Sequence, residues 1–180
     1  MAGVEELGYD EISKRDLFLL DIPAPEDLPA KFTLGTSRFV CLIAWNAKNA
    51  TVDDISILAR RLLDSGAAYV CAWGPDCERV HDIVDQEEVG PNPPPTVDRV
   101  VMTSSHENEP LAEAIFFVLR CAYPDEGYEE DCGSTLGIAI GSPSSAAEIR
   151  DAFSNLERFI KCQLEAEADQ TNNGPGNKCD

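Results

Sequence analysis

The sequence has 180 residues, 43% of them hydrophobic, and its 33 Asp and Glu against 14 Lys and Arg give a formal net charge of −19. A chain of this length is expected to form one domain with a substantial core, and none of its apolar runs reaches the roughly 18 residues of a membrane helix. Because proteins that bind nucleic acids or anionic membranes carry basic surfaces, the charge argues against both kinds of partner.

The N-terminus and the cysteines indicate a reducing compartment. The first residues, MAGVEELGYDEISKRD, are acidic and polar, so they are not expected to act as a secretory signal. The seven cysteines are scattered and form no CxxC pair, the spacing of strong zinc sites. Cys41, Cys71 and Cys121 stand within apolar runs, where a free cysteine behaves as a small hydrophobe. We therefore expect reduced thiols, no disulfide framework and a cytoplasmic location.

Residues 1–37 are predicted to form an N-terminal arm of extended chain that lies across the domain. Its short apolar segment at residues 17–20 can add an extra edge strand to the sheet. Pro23, Pro25 and Pro29 follow, and three prolines at this spacing prevent any regular element.

Two strand–helix units come next. The nearly continuous apolar runs Arg38–Trp45 and Ala67–Trp73 are typical of strands buried on both faces of a parallel sheet. Thr51 is a favourable N-cap for the helix between them, and Gly66 suits its C-terminus. A Gly-Pro pair ends the second strand, and Asp76 can cap the second helix.

Two further units complete the predicted domain. The third strand is predicted at residues 97–102, after a proline-rich loop, and an apolar helix at residues 111–123. The fourth strand is predicted at residues 136–140, and the last amphipathic helix ends at Leu164. The acidic loop before the fourth strand lacks the ligand spacing of a calcium site. Residues 166–180 have no periodicity and are expected to be a disordered tail.

Four strands that alternate with helices predict a single α/β domain over residues 38–165. Its fold class is a three-layer open sheet, mainly parallel and four-stranded, with the flavodoxin-like or Rossmann-like strand order 2-1-3-4. In such sheets ligands bind beyond the carboxyl ends of the strands. The candidate binding residues expected at this edge are Trp45, Asn46, Trp73, Gly74, Asp76, Ser104, His106 and Ser142.

Several familiar active-site motifs are missing from the sequence. It contains no GxGxxG dinucleotide fingerprint, no P-loop and no GxSxG nucleophile elbow. Where a phosphoacceptor receiver domain has an acidic pair after its first strand, this chain has Trp45 and Asn46. No cofactor is therefore expected.

The second helix carries candidates for catalysis. Cys77, His81 and Asp85 are four residues apart and share one helical face. His81 can activate the thiol while Asp85 orients the imidazole. The alternative is that Cys77 packs against the sheet and His81 is a hydrogen-bonded structural histidine. A metal site is a further alternative if the loop after the third strand reaches across, and its ligands would be Asp76, His81, Asp82 and His106.

The segment WGPDCERVHD and the later segment VVMTSSHENEPLAEAIFF resemble a group of uncharacterised bacterial α/β proteins with the same strand–turn–helix signature. The similarity covers roughly residues 38–155. It implies the α/β fold and the cytoplasmic setting, and it implies no catalytic residue.

Two functions from different classes stay open. The first is a non-enzymatic binding or regulatory module, such as an acidic protein that caps a basic toxin or nuclease. The alternative is a small enzyme that uses Cys77 and His81, or a metal, at the strand ends. Phe116 and Phe117 lie off the sheet-facing side of their helix, so either the N-terminal arm covers them or a homodimer does.

Overall fold

A six-stranded sheet forms the middle layer of the protein, in a computed structural model that describes residues 3–90 and 100–172. The strands lie in the spatial order β1-β2-β6-β3-β4-β5. The β1 strand is antiparallel to β2, and all other neighbouring strands are parallel. The predicted α/β class and the mainly parallel sheet are thus confirmed. The strands are β1 Glu5–Asp10, β2 Arg15–Ile22, β3 Arg38–Trp45, β4 Ala67–Trp73, β5 Met102–His106 and β6 Cys132–Ile140.

Helices cover both faces of the sheet. The chain passes from β3 to β4 to β5 in one direction and then returns to β6, so right-handed crossovers place the first two helices on one face and the third on the other. The fourth and fifth helices contact the third and lie on its side. The described helices are α1 Val52–Ser65, α2 Cys77–Val89, α3 Leu111–Arg120, α4 Pro143–Ser154 and α5 Leu156–Asn172. None of the helices in the described residues is long and apolar enough to cross a membrane.

The strand order differs from the prediction. In the numbering of the four predicted strands the observed order is 4-1-2-3, not 2-1-3-4. The predicted order placed the third strand in the middle of the sheet. The observed third strand, β5, is the polar sequence MTSSH, and its side chains are largely accessible, so it occupies an edge. The apolar β3 and β6 take the central positions, where both strand edges and both faces are covered.

The N-terminal arm belongs to the sheet and is not a strap across it. The β2 strand pairs in parallel with β6 and buries Leu17, Leu19 and Leu20. A tight turn then lets β1 pair with β2 as the antiparallel edge strand. The sheet therefore begins well before the predicted domain boundary at residue 38, because the arm supplies apolar side chains that complete the core.

Other boundaries also shift. The third strand begins at Met102, where the prediction ended it, and residues 97–99 of the predicted strand lie outside the described residues. The predicted last helix is two helices, because the side chain of Asn155 bonds back to the carbonyl of Asp151 at the end of α4. The second of them continues past Leu164 to Asn172 along a sequence rich in Ala and Glu. Residues 173–180 of the predicted tail lie outside the described residues.

The apolar helix α3 packs as its periodicity predicts. The five positions predicted to face the sheet are all buried, at 4% exposure or less, and the last of them lies two residues past the end of α3: Leu111, Ala114, Ile115, Val118 and Ala122. Phe117 is half-buried against the rings of Tyr69 and His106, and α4 and α5 cover part of the helix. The homodimer through Phe116 and Phe117 stays a prediction.

Candidate functional site

The order of strands reverses between β3 and β6, so the predicted crevice lies where these strands end. Trp45 ends β3 and is only 9% exposed. Asn46 is exposed, and its side-chain oxygen accepts the backbone N–H of Lys48 at 3.3 Å. Ser142 caps α4 by accepting the N–H of Ser145 at 3.3 Å. Each of these candidate binding residues thus has a local structural role in ending a strand or starting a helix.

The turn after β4 is fixed by its close approach to β3. Gly74 has φ 111°, and a Cβ there would lie 2.5 Å from the carbonyl oxygen of Trp45. Asp76 occupies the N-cap position of α2, but its carboxylate does not cap the helix. It holds Arg79 at 2.6 Å instead, and Arg79 donates to the carbonyl of Ala47 at 2.7 Å. The arginine therefore joins the loops that follow β3 and β4.

Ser104 and His106 lie within β5, on its α3-facing side, and not in a loop after it. His106 is 7% exposed. Its Nδ1 lies 2.7 Å from Oε2 of Glu109, and its Nε2 lies 3.2 Å from Oγ of Ser104. Hydroxyl, imidazole and carboxylate thus stand in the order found in serine hydrolases. Burial raises the pKa values of Tyr69 and Cys71, and the neighbouring Ser104 hydroxyl partly offsets that rise, so Ser104 belongs to a wider group of polar side chains on β4 and β5.

Trp73 joins the same network from β4. Its indole N–H donates to the backbone carbonyl of Glu109 at 2.8 Å. Trp73 and His106 therefore both contact Glu109, and Ser104 lies on the other side of the imidazole. Sequence reasoning missed this glutamate, which stands three residues after His106, because nothing in the pattern of the loop marks it as a partner of the histidine.

The structure separates the catalytic candidates of α2. Cys77 is 1% exposed, and burial raises the pKa of its thiol, so the thiolate form needed of a nucleophile is disfavoured. Cys77 is therefore packed in the interior, which was the alternative to a catalytic role. His81 and Asp85 do share a face, with Nε2 and Oδ2 3.7 Å apart. Asp85 in turn accepts a hydrogen bond from Thr103 of β5 at 2.7 Å.

The four metal candidates are not assembled into one site. His81 lies on α2, paired with Asp82 and Asp85, whereas His106 contacts Phe117 of α3. The sheet separates α2 from α3, so the two imidazoles face different layers. Within residues 3–90 and 100–172, no group of three or more His, Cys, Asp or Glu side chains is placed to hold a metal ion.

A groove of about 910 Å³ opens between β1 and α5, away from the carboxyl edge of the sheet. Its lining is largely apolar, and three of its side chains are well exposed to solvent: Tyr9 by 47%, Ile12 by 73% and Leu164 by 51%. Phe153 and Ile160 belong to the same lining. We call this surface the β1–α5 groove.

The cations that line the β1–α5 groove are all in ion pairs. Arg120 pairs with Asp10 at 2.5 Å. The other two, Arg158 and Lys161, pair with neighbouring carboxylates at 2.7 and 3.8 Å. Asp10 is 1% exposed. Burial alone would raise its pKa, but hydrogen bonds from Ser13, Arg120 and the Ile12 N–H outweigh burial and lower it. The carboxylate is therefore charged and matched to the guanidinium.

A family model described as a domain of unknown function, DUF7684, matches residues 17–156, which is most of the chain. The chain belongs to the DUF7684 family. No curated protein matches the sequence. The family range begins within β2 and ends at the first residue of α5, so the DUF7684 domain here comprises the five parallel strands and α1 to α4.

The β1–α5 groove therefore lies at the margin of the DUF7684 domain. Its two sides, β1 and nearly the whole of α5, come from chain that precedes and follows the matched residues. The sequence carries one signal that could have located it. Large apolar residues stand within acidic, polar stretches at three positions, Tyr9, Ile12 and Leu164. Exposed apolar side chains in such stretches indicate a surface that another segment or a partner covers.

Proposed function

We propose that this chain is a non-enzymatic binding module whose β1–α5 groove takes a basic amphipathic helix of a partner protein. One observation carries the proposal: an apolar groove is open to solvent, and every cation that lines it among the described residues is already paired. A basic partner is also the class expected for a chain with a net charge of −19.

The exposure of the lining favours a protein segment over a small molecule. Small-molecule sites usually bury most of the ligand inside a concave, mostly enclosed pocket. Here Ile12 and Leu164 remain 73% and 51% exposed, so the groove has broad apolar walls that a compact ligand would not cover. An amphipathic helix covers such a surface by laying three or four apolar side chains along it.

The charges favour a basic segment over an acidic one. Four carboxylates and three cations line the groove. All three cations and three of the carboxylates are in ion pairs, so Glu157 is the one lining charge that no described ion pair offsets. An acidic helix would meet these carboxylates and the field of the whole chain. A basic helix would place its Lys and Arg against the rim and be steered to it from a distance.

The proposal can be tested with a model peptide. We would label a helix of about 18 residues with Leu on one face and Lys on the other, and measure its binding by fluorescence anisotropy at about 0.15 M salt. Exchange of Ile12→Ser and Leu164→Ser together is expected to weaken binding about tenfold or more, since two apolar contacts are lost. The matched control exchanges Val52→Ser and Ile57→Ser on α1, which are 59% and 40% exposed on the other face.

Two further peptides test whether binding requires the apolar groove or only the attraction between opposite charges. A Lys peptide with the same charge but a scrambled apolar pattern should bind at least about tenfold more weakly, and a Glu peptide should not bind. Equal binding of the scrambled peptide, or equal loss in the control variant, would refute the groove as the site. A wild-type dimer in light scattering that Leu164→Ser converts to monomer would show that a second copy is the occupant.

A second candidate function is serine-dependent hydrolysis, and the Ser104–His106–Glu109 contacts favour it. In that reaction Ser104 Oγ attacks an ester carbonyl while His106 Nε2 takes its proton. The imidazolium returns the proton to the leaving alkoxide as the ester C–O bond breaks, and water then hydrolyses the acyl-serine. The binding function is preferred because His106, the base in that reaction, is only 7% exposed, which limits the access of a substrate. Intact-mass analysis after a fluorophosphonate probe decides the matter. A single adduct lost in Ser104→Ala and kept in Ser105→Ala would support the hydrolase, and no adduct would exclude it.

A further inference from the structure

A second, smaller cavity of about 240 Å³ lies beside the β1–α5 groove. It is bounded by the β1–β2 turn, the end of α3 and the loop before β6, and it shares Ile12 and Arg120 with the groove. Arg15, Tyr123 and Glu129 also line it. We call it the Arg15 cavity.

The guanidinium of Arg15 is buried and forms few polar contacts. Its side chain is 6% exposed, and one terminal nitrogen donates to the carbonyl of Ala122 at 3.2 Å. Its Nε is buried and has no hydrogen-bond partner in residues 3–90 and 100–172. Arginine has five N–H donors, and a buried cation is normally matched by an anion.

None of the acidic residues that the structure describes plays that part. Arg15 is the most deeply buried arginine among the described residues and forms no ion pair with them within 4 Å, whereas Arg120, whose side chain is 15% exposed, pairs with Asp10. Glu129 lines the same cavity but is exposed and does not reach it. The carbonyl of Ala122 is a neutral acceptor at the end of α3, so it only partly offsets the charge.

We propose that the Arg15 cavity binds a small organic monocarboxylate. The proposal is independent of the partner helix, since it rests on a different cavity and a different charged group. A planar guanidinium offers two parallel N–H donors to a carboxylate, which is the geometry for which arginine is best suited. The carboxylate of the ligand would supply the negative charge that no described residue offers to Arg15.

The other walls of the Arg15 cavity define the rest of the ligand. Ile12 and Tyr123 give it apolar walls, so the ligand has a short apolar body as well as its acid group. The volume is below the usual range of about 300–1,000 Å³ for drug-sized ligands, which selects small acids. A dianion such as phosphate would meet the carboxylate of Glu129 and the negative end of α3, so a single charge fits better.

The test uses benzoate and its neutral counterpart benzamide on the full chain, by isothermal titration and thermal unfolding at constant ionic strength. We expect benzoate to bind one to one with a dissociation constant on the order of 1 mM and to raise Tm by about 3–5 °C at ten times that concentration. Benzamide should not bind, because it lacks the charge. Inorganic phosphate is the third probe and should bind at least about tenfold more weakly.

Two variants locate the site. Exchange of Arg15→Met should abolish benzoate binding. Arg15 also bonds Ala122, so its loss can disturb folding, and a second variant is needed. Glu129→Gln removes the carboxylate at the rim of the cavity and should tighten benzoate binding about 2- to 5-fold, the opposite of the effect of Arg15→Met. Glu130→Gln is the matched control, as it removes the same charge one residue away and should leave binding unchanged.

Several results would overturn the proposal. Absence of saturable benzoate binding would show that Arg15 only caps the end of α3. Equal binding of benzamide, or of phosphate, would show that the cavity does not select a monocarboxylate. Equal effects of Glu129→Gln and Glu130→Gln would place the bound acid elsewhere on the chain.

Discussion

The Asp10–Arg120 ion pair joins the end of β1 to the end of α3 across 110 residues of sequence, and its removal should destabilise the protein more than any exchange of a surface charge. The change is Asp10→Asn, which keeps the shape of the side chain and removes its charge. Asp10 is 1% exposed and accepts hydrogen bonds from Arg120 at 2.5 Å and from Ser13 at 2.6 Å.

The size of the effect follows from what the change leaves behind. Breaking a buried pair on one side costs about 3–5 kcal/mol, since the remaining charge is uncompensated. The Arg120 side chain keeps 15% of its surface exposed, so water can solvate part of the cation. We therefore expect the free energy of unfolding to fall by about 2–3 kcal/mol. The double variant Asp10→Asn with Arg120→Met should lose less than the sum of the two single changes.

The assay is equilibrium unfolding in urea, with the m-value used to confirm that the unfolded state is comparable. Glu11→Gln is the control in the same turn. Glu11 forms an exposed pair with Lys14, so this exchange should stay within about 0.5 kcal/mol of wild type.

The pH dependence has a definite sign. The pKa of Asp10 is lowered in the folded state, so its charge stabilises the fold at pH values above the unfolded pKa of about 3.9. The stability gap between wild type and Asp10→Asn should therefore be constant from pH 7 to about pH 5 and narrow below about pH 4. In that range the unfolded carboxyl group takes up a proton while the folded one is still charged, and the contribution is gone once the folded carboxyl group is protonated as well. A gap no larger than that of Glu11→Gln, or one that closes between pH 7 and 5, would refute the reasoning.

Two further predictions concern the carboxyl edge of the sheet. Gly74→Ala should lower the free energy of unfolding in urea by about 2–4 kcal/mol, since it combines a φ of 111° with a Cβ only 2.5 Å from a carbonyl oxygen. Gly35→Ala is the control: at φ 85°, with no atom within 4 Å of the added Cβ, it should cost about 1 kcal/mol. Equal losses in the two variants would contradict the steric argument. Cys77 should resist thiol reagents in the folded protein, because it is buried and the pKa of its thiol is raised. The test uses a variant in which Ser replaces the two exposed cysteines, Cys121 and Cys162, and also Cys179, which lies outside the described residues. This variant should show no fast reaction with Ellman's reagent, and rapid labelling would contradict the prediction.

Local patterns in the sequence were enough to find most of the elements. The run RFVCLIAW is apolar at every position but one, and it forms the central strand β3. Thr51 caps α1 through a full capping box with Asp54, and Gly66 ends that helix at φ 105°. These features depend on hydrogen bonds and steric limits within a few residues, so the chain reveals them without its partners.

The candidate site was only partly predictable. His106 lies beside Trp73 because β4 and β5 are paired in parallel, but Ser104 stands within β5 and not beyond its end, so strand-end reasoning does not account for its position. The partner of His106, Glu109, was not predicted, since a loop carboxylate has no periodic signal. The exposure of Cys77 also could not be read from spacing, because a helical face shows which residues are aligned but not whether that face meets solvent or the sheet.

The sequence by itself therefore determined the α/β class, the alternation of strands and helices, the buried face of α3 and the excess of negative charge. Only the tertiary structure decided that the N-terminal arm is part of the sheet, that β5 lies at an edge, and that β1 and α5 face each other across a groove. It alone decided that Arg120 meets Asp10 while Arg15 meets no carboxylate of the described part of the chain. The physical reason is that hydrogen bonding and side-chain periodicity act over a few residues, whereas strand order, grooves and the pairing of buried charges depend on contacts between segments more than a hundred residues apart.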